Sequence, residues 1–216
     1  MANLKITLKN LIYSTILYDL IRPLKQTMDL LIWYKRKQQA PLPHLIKQKI
    51  VKEYARRFNT NTLIETGTYL GDMIYATRKI FAVIISIEID SNLFEIAKRR
   101  FSRFSHIRIL RGDSGNILVD VLSKIHEPCL FWLDAHYSGG ITSRGDLETP
   151  IRKELELIFN HFVSGHVVLI DDARDFTGQN SYPSIDDLRN LVREKKSEWV
   201  LEVKDDIISM HGKTVA

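Results

Sequence analysis

The chain has 216 residues, 44% of them hydrophobic, which is enough for one sizeable core in a single domain. Its one cysteine, Cys129, excludes an intramolecular disulfide framework and, within an apolar run, indicates a buried thiol in a reducing compartment. The net charge of +5 is uneven: residues 1–60 hold 12 Lys and Arg against 3 Asp and Glu, and the remainder holds 19 against 23. Such asymmetry is typical of an N-terminal segment that contacts a membrane or a nucleic acid.

The N-terminal segment predicts an amphipathic helix, since apolar residues recur at helical spacing between Ile12 and Leu24. Pro23 is expected to bend or restart this helix. Aromatic residues then precede a basic cluster at residues 35–37. The pattern allows a peripheral membrane helix within residues 1–40, but it favours a helical lid or a homo-oligomer contact packed on the core.

Two prolines, Pro41 and Pro43, mark a break after this segment. We therefore divide the chain into a basic helical extension, residues 1–44, and a main domain, residues 45–216. The uncharged run at 11–18 is too short to span a bilayer, and no signal-peptide cleavage pattern follows it. The expected location is cytoplasmic, with any membrane contact peripheral.

Beyond the boundary, short apolar strands alternate with helices. Helices are predicted over residues 45–58, from 72 onward, 91–103, from 114 to about 125, 148–162 and 184–196, and strands over 62–66, 83–88, 107–111, 129–134, 166–171, 199–203 and 206–211. This alternation indicates an α/β fold with a parallel, doubly wound sheet. The short link Lys204-Asp205 leaves room only for an antiparallel hairpin between the last two strands.

The segment from Leu63 to Gly71 predicts a strand, a tight turn and the start of a helix. Its E-x-G-x-x-x-G spacing differs from the G-x-G-x-x-G that seats a dinucleotide pyrophosphate on a helix N-terminus. Gly67 and Gly71 lack a Cβ, so a ligand can approach the backbone closely. Glu65 would repel a pyrophosphate but suits a cationic or amine-bearing ligand.

Acidic residues also end the next two strands. Glu88 follows Glu65 by 23 residues, a spacing at which an acid can accept hydrogen bonds from both ribose hydroxyls. Asp90 is a rival candidate, but its place past the strand end predicts a helix cap. Asp113 and Ser114 follow the third strand and are further candidates for binding the ligand. The alternative is that these two residues only cap the next helix.

These residues together resemble the class I S-adenosylmethionine-dependent methyltransferases over about residues 45–211. The resemblance implies an enzyme with a Rossmann-like, seven-stranded, mostly parallel sheet, helices on both faces and a C-terminal antiparallel β-hairpin. It also implies S-adenosyl-L-methionine as the cofactor. The implied cofactor-binding residues are Glu65, Gly67, Thr68, Gly71, Glu88, Asp113 and Ser114.

Three aspartates end the fourth and fifth strands, namely Asp134 and the pair Asp171 and Asp172. Adjacent parallel strands would bring these carboxylates together, where they would raise one another's pKa. A divalent cation removes that cost, and an all-oxygen ligand set suits Mg²⁺ or Ca²⁺. The alternative is that Asp134 contacts the methionine amino group while Asp171 and Asp172 cap a loop.

This arrangement resembles the metal-dependent macrolide-sugar (macrocin-type) O-methyltransferases, which share an Asp after strand four and an Asp-Asp pair after strand five. The resemblance implies Mg²⁺ or another divalent cation on Asp134, Asp171 and Asp172, and methylation of a hydroxyl on a sugar, a glycan or a small natural product. His136 and Asp134 are the candidate catalytic residues. His136 is the candidate base because the unperturbed pKa of histidine lies near 6.5. The macrocin-type enzymes often have an acid at this position. The alternative for His136 is a surface histidine bound to a carbonyl.

Two other functions remain open. A nucleic-acid methyltransferase would suit the basic N-terminal segment. However, Asp134-Ala135-His136-Tyr137 lacks the Asn/Asp-Pro-Pro-aromatic motif that base N-methylating enzymes usually carry, which argues against nucleic acid. A non-catalytic binding module attached to a membrane or a partner is the second alternative, and the acids at every expected strand end argue against it.

Overall fold

The computed structural model describes residues 16–134, 149–179 and 181–213. Within them a single sheet is built from strands β1 Thr62–Thr66, β2 Val83–Glu88, β3 Ile107–Arg111, β4 Cys129–Leu133, β5 Val167–Ile170, β6 Trp199–Lys204 and β7 Ile207–Gly212. Their order across the sheet is β3-β2-β1-β4-β5-β7-β6. Strands β1 to β5 are parallel, and β7 runs antiparallel to β5 and β6. The predicted mostly parallel sheet with a C-terminal hairpin is confirmed.

The helices of the described residues are α1 Ile16–Lys35, α2 His44–Arg57, α3 Asp72–Thr77, α4 Ser91–Phe101, α5 Ser114–Leu122, α6 Ile151–Phe159 and α7 Ile185–Lys195, with a 3₁₀ turn at Ala173–Asp175. Apart from α1, each precedes or follows a strand of the sheet. The alternation of strands and helices read from the sequence is therefore confirmed.

Two apolar cores cover the two faces of the sheet. Neighbouring residues of a strand point to opposite faces, so Ile64 and its partner Phe131 face one core while Leu63 and Leu130 face the other. Helices α5, α6 and α7 cover the first face, and α2, α3 and α4 cover the second. Because both faces are buried, strands β1 and β4 are buried at every residue, which explains the continuous apolar sequence of β4.

The strand register places the carboxyl ends of the central strands side by side. The Asp134 amide donates to the Thr66 carbonyl at 2.9 Å, and the Asp171 amide donates to the Leu133 carbonyl at 3.1 Å. The residues that follow β1, β4 and β5 therefore lie at one edge of the sheet, which is where ligands bind in open α/β folds.

Pro23 was predicted to bend or restart this helix. Helix α1 continues through Pro23 without a restart, and a bend there stays a prediction. A proline inside a helix removes one backbone hydrogen bond and costs about 3 kcal/mol. Two residues that precede Pro23 bind the domain and offset part of this cost: Asp19 pairs with Arg100, and Arg22 lies 3.6 Å from Asp72. None of the described helices is both long enough and apolar enough to cross a membrane.

Arg100 is the main anchor of α1. Its guanidinium is buried and binds Asp19 Oδ1 at 2.6 Å, Asp72 Oδ1 at 3.3 Å and the backbone carbonyl of Leu70. Tyr18 adds a hydrogen bond from its hydroxyl to Asp72 Oδ2 at 3.1 Å. A short polar network therefore joins α1 to the start of α3 and to α4.

We expect Arg100→Ala to lower the free energy of unfolding by about 3 kcal/mol, because it leaves the partly buried Asp19 without its cation and removes one of the two cations beside Asp72. Arg99→Ala is the matched control. Arg99 is exposed and lies 4.0 Å from Glu95, so its loss should cost no more than about 0.5 kcal/mol. Urea denaturation of both variants gives the comparison. Equal small losses would show that this network does not anchor α1.

Candidate functional site

The loop after β1 has a backbone that two glycines make possible. Gly67 has φ 87° and Gly71 has φ 75°, both in the left-handed region that side chains disfavour. A Cβ at Gly71 would also lie 2.4 Å from Cε2 of Phe101, which packs under the loop. The loop thus passes close to α4.

Glu65 lies beneath this loop and is only 2% exposed. Ser86 donates a hydrogen bond to Glu65 Oε2 at 2.5 Å, and the hydroxyls of Ser86 and Thr68 lie 2.6 Å apart. Burial, assisted by the charges of Asp134 and Glu88, raises the pKa of Glu65 to about 8, although the Ser86 hydrogen bond opposes it. A bound cation would favour the charged carboxylate, so Glu65 is suited to an amine or a sulfonium.

Glu88 fixes the same loop from β2. Its two oxygens accept hydrogen bonds from the amides of Tyr69 at 2.8 Å and Asp90 at 2.9 Å. Burial raises the pKa of Glu88, whereas these hydrogen bonds lower it. Asp90 caps α4 by accepting from the amides of Asn92 and Leu93, as its position predicted. Glu88 therefore remains the candidate for the ribose.

Asp113 occupies the N-cap position of α5, but its side chain makes no capping hydrogen bond. The alternative interpretation, a carboxylate used only for capping, is therefore not what the structure contains. Ser114 begins the helix and is buried. Both residues follow β3, beside the β2 end that carries Glu88.

Glu154 on α6 was not identified from the sequence, yet it is 1% exposed. Neither of its carboxylate oxygens has a hydrogen bond of ordinary geometry in the structure. Burial raises its pKa to about 7, while the nearby hydroxyls of Ser114 and Thr66 lower it. Glu154 also lines a small pocket with Asp171, so it lies between the two halves of the site. The available sequence signal was its position on the buried stripe of α6.

The three predicted aspartates come together. Ligand oxygens of Asp134, Asp171 and Asp172 all lie within 4.8 Å of one another. Asp172 adopts φ 54° and ψ 51°, a left-handed conformation that is uncommon outside glycine, and its amide donates to Asp171 Oδ1 at 2.9 Å. The set consists of hard oxygen donors, which fits Mg²⁺ or Ca²⁺.

Lys47 on α2 reaches into this cluster, and no motif in the sequence identified it. Its ammonium contacts Asp171 directly and lies 3.3 Å from Asp172 Oδ1. Burial lowers the pKa of Lys47, but Asp171, Asp134 and Asp172 outweigh burial and raise it above the usual value. Burial raises the pKa of Asp171 and Asp172 adds to that rise, while Lys47 opposes it. The single positive charge of Lys47 cannot neutralise the negative charges of three carboxylates. Arg174 adds a second positive charge, because it binds Asp172 at 2.9 Å.

The candidate base His136 lies outside the described residues, as does the rest of the segment from 135 to 148. Of the predicted site residues, the structure therefore locates all the cofactor residues and all the metal residues, but not the predicted base.

Several solved methyltransferases share this fold. The Podospora anserina methyltransferase PaMTH1, bound to SAH, is 17% identical, with 84% of this chain and 86% of that chain covered at a TM-score of 0.56. A Bacillus cereus O-methyltransferase in complex with SAH is 14% identical, covering 87% and 90% at 0.57. The O-methyltransferase TomG from Streptomyces achromogenes, in complex with SAM, is 15% identical, covering 81% and 82% at 0.57.

No family model and no curated protein matches the sequence. At these identities the likeness establishes the fold, and the chain has the Rossmann-like methyltransferase fold that its strand-end residues implied.

Gly71→Ala should lower the free energy of unfolding by about 3 kcal/mol, since it adds left-handed backbone strain to a clash with Phe101. Gly178→Ala is the control: Gly178 has φ 81°, but its added Cβ would lie an ordinary 3.6 Å from Ser184 Cβ. That variant should lose only about 1 kcal/mol. Chemical denaturation of the two proteins measures the difference, and equal losses would contradict the close approach of loop and helix.

Proposed function

We propose that this protein is an S-adenosylmethionine-dependent methyltransferase that methylates a hydroxyl oxygen. The observation that carries the proposal is Glu65, a buried carboxyl with a raised pKa beneath a two-glycine loop, on a fold shared with methyltransferases that bind SAM or SAH. Glu88 and Asp113, at the next two strand ends, supply further acceptors for a nucleoside.

The proposed cofactor site uses each strand end for one part of the ligand. Glu65 would meet the cationic methionine portion, Glu88 the ribose hydroxyls, and Asp113 with Ser114 the adenine. Gly67 would let the loop backbone approach the nucleoside, and Gly71 would shape the same loop by its packing on Phe101. Thr68 holds Ser86, which orients Glu65. In methyl transfer the methyl leaves the sulfonium sulfur and bonds to the acceptor oxygen, whose proton is lost. The chain must align the two atoms and exclude water.

We propose that Asp134, Asp171 and Asp172 hold Mg²⁺ or another divalent cation. When bound, such a cation lowers the pKa of an acceptor hydroxyl. Support comes from the close approach of three carboxylates and from their hard oxygen donors. Without a bound cation, Lys47 balances part of the negative charge of the three aspartates. A bound cation would displace the Lys47 ammonium from part of its contact with Asp171 and Asp172.

The proposed acceptor is a small molecule or a saccharide that bears a hydroxyl. TomG, which shares the fold, is described as an O-methyltransferase involved in tomaymycin synthesis, and this supports a small natural product. His136, next to the cluster in sequence, is proposed to take the hydroxyl proton. We retain a cytoplasmic location, consistent with the free, buried Cys129, together with a peripheral membrane contact through residues 1–40. Homo-oligomerisation is a further proposal.

Calorimetry tests the cofactor assignment. S-adenosylmethionine should bind the wild-type protein at pH 7 and release a proton, because a cation converts the largely protonated Glu65 to its charged form. Titrations in buffers of different ionisation enthalpy measure that proton. Glu65→Gln should abolish most of the proton release and weaken binding about tenfold or more.

Glu95→Gln, an exposed acid on α4, is the control and should behave as the wild type. Absence of S-adenosylmethionine binding by the wild-type protein would refute the proposed function. Binding without proton release would remove only the role given to Glu65.

Lys47→Met tests the metal site. Removing an ammonium that contacts two of the three ligands should increase the affinity for Mg²⁺ or Mn²⁺ about tenfold or more, since the cation no longer competes with it. Asp171→Asn should weaken the same affinity, and both are measured by calorimetry with metal alone.

Lys49→Met, an exposed position on the same helix, is the matched control and should leave metal affinity unchanged. If Asp171→Asn and a chelator both leave methyl transfer unaltered, the metal has no part in the reaction.

A further inference from the structure

Helix α1 directs its large apolar side chains into solvent. Leu20 is 70% exposed, Leu24 66% and Leu31 57%, and Ile21 and Met28 are also exposed. At 3.6 residues per turn, these residues form one continuous stripe of about 120° around the helix. We call this stripe, with Ile32 at its C-terminal end, the outward face of α1.

The opposite side of α1 is polar and packs against the domain. Arg22 and Gln26 are buried there, and Asp19 binds Arg100. Arg22 also stacks its guanidinium on the ring of Tyr75 at 4.0 Å. The usual arrangement of a surface helix, apolar inside and polar outside, is therefore reversed. A contiguous exposed apolar stripe of this kind marks an interaction surface.

The charge around this face favours one partner. Lys35 ends the helix, Arg36 and Lys37 follow it, and the exposed Tyr34 precedes them. Neither acidic residue of the helix, Asp19 or Asp29, lies within the stripe. An aromatic-basic end beside an apolar stripe is typical of helices that lie in a membrane interface, and clustered Lys and Arg are attracted to anionic lipids.

A second copy of the chain fits less well. A second copy carries the same basic N-terminal segment, with 12 Lys and Arg against 3 Asp and Glu in residues 1–60, and this like charge opposes association. An anionic bilayer has no such penalty.

We propose that the outward face of α1 is a docking surface for an anionic membrane. The outward face would enter the headgroup region of the bilayer. The polar inward side would keep α1 fixed on the domain at Asp72, which directly follows the cofactor loop, our name for the loop after β1 that is proposed to bind the cofactor. The proposal gives the suggested membrane contact a specific surface and orientation. It rests on the proposed function only in placing the cofactor loop behind that surface.

Vesicle sedimentation of the full chain tests the docking surface. Wild-type protein should sediment with phosphatidylcholine vesicles that contain phosphatidylserine and much less with phosphatidylcholine alone. Leu24→Glu should reduce the partition coefficient about tenfold or more, because it places a charge in the centre of the stripe. Val203→Glu, the same change at an exposed apolar residue of β6, should bind as the wild type.

Replacing Lys35, Arg36 and Lys37 together by Gln should remove the preference for phosphatidylserine and the dependence on salt. Failure of the wild type to sediment with either vesicle, or unchanged binding by Leu24→Glu, would overturn the proposal. Light scattering on the same proteins would detect a dimer if the wild type forms one and Leu24→Glu dissociates it. A dimer of that kind without vesicle binding would assign the face to a second copy and would also overturn the proposal.

S-adenosylmethionine binding, measured on the same variants, separates this proposal from the proposed function. Leu24→Glu should bind the cofactor as the wild type does. Loss of vesicle binding in a protein that still binds the cofactor concerns the docking surface alone, whereas a wild type that binds vesicles but no cofactor contradicts only the methyltransferase assignment.

Discussion

The structure depends on compensating the negative charge of the acidic residues that are buried at the carboxyl ends of the parallel strands. An unpaired carboxylate away from water is costly, so each must be compensated or protonated. Glu65 has a raised pKa and a hydroxyl donor, Glu88 is held by backbone amides, and Asp171 is held by the Lys47 ammonium. These compensations also position structure: Glu88 shapes the loop after β1, and Lys47 ties α2 to the end of β5. The same charges therefore organise both the fold and the candidate site.

The strands were predictable because their burial is local in the sequence. The predicted ranges 62–66, 83–88 and 107–111 coincide with β1, β2 and β3, since short apolar runs between turn residues fit a sheet covered on both faces. The course of α1 through Pro23 was not predictable in this way. Asp19 of this helix pairs with Arg100, which lies 81 positions away, and no local pattern reports such a contact.

The residues of the candidate site likewise divide into those that the sequence identifies and those that it does not. Acids at strand ends were identifiable because parallel strands bring their carboxyl ends to one edge, and Asp134, Asp171 and Asp172 do meet there. Lys47 was not identifiable, because it reaches Asp171 across 124 residues from a helix with two other lysines. Glu154 resembled an ordinary helix acid. A stricter reading of α6, whose apolar residues bury the same side as Glu154, would have identified it.

Glu154 and Glu65 are both buried carboxyl groups with a raised pKa. Their pKa values of about 7 and 8 lie above the ordinary value of 4.5, so the native state binds protons more tightly than the unfolded chain. The stability that they contribute is complete below about pH 4.5 and is lost as pH rises through 7 and 8. A cationic ligand reverses that loss at Glu65 by stabilising its charged form. Ligand binding and stability at neutral pH are therefore linked through the same carboxyl group, which is reason enough for the fold to retain a costly buried acid.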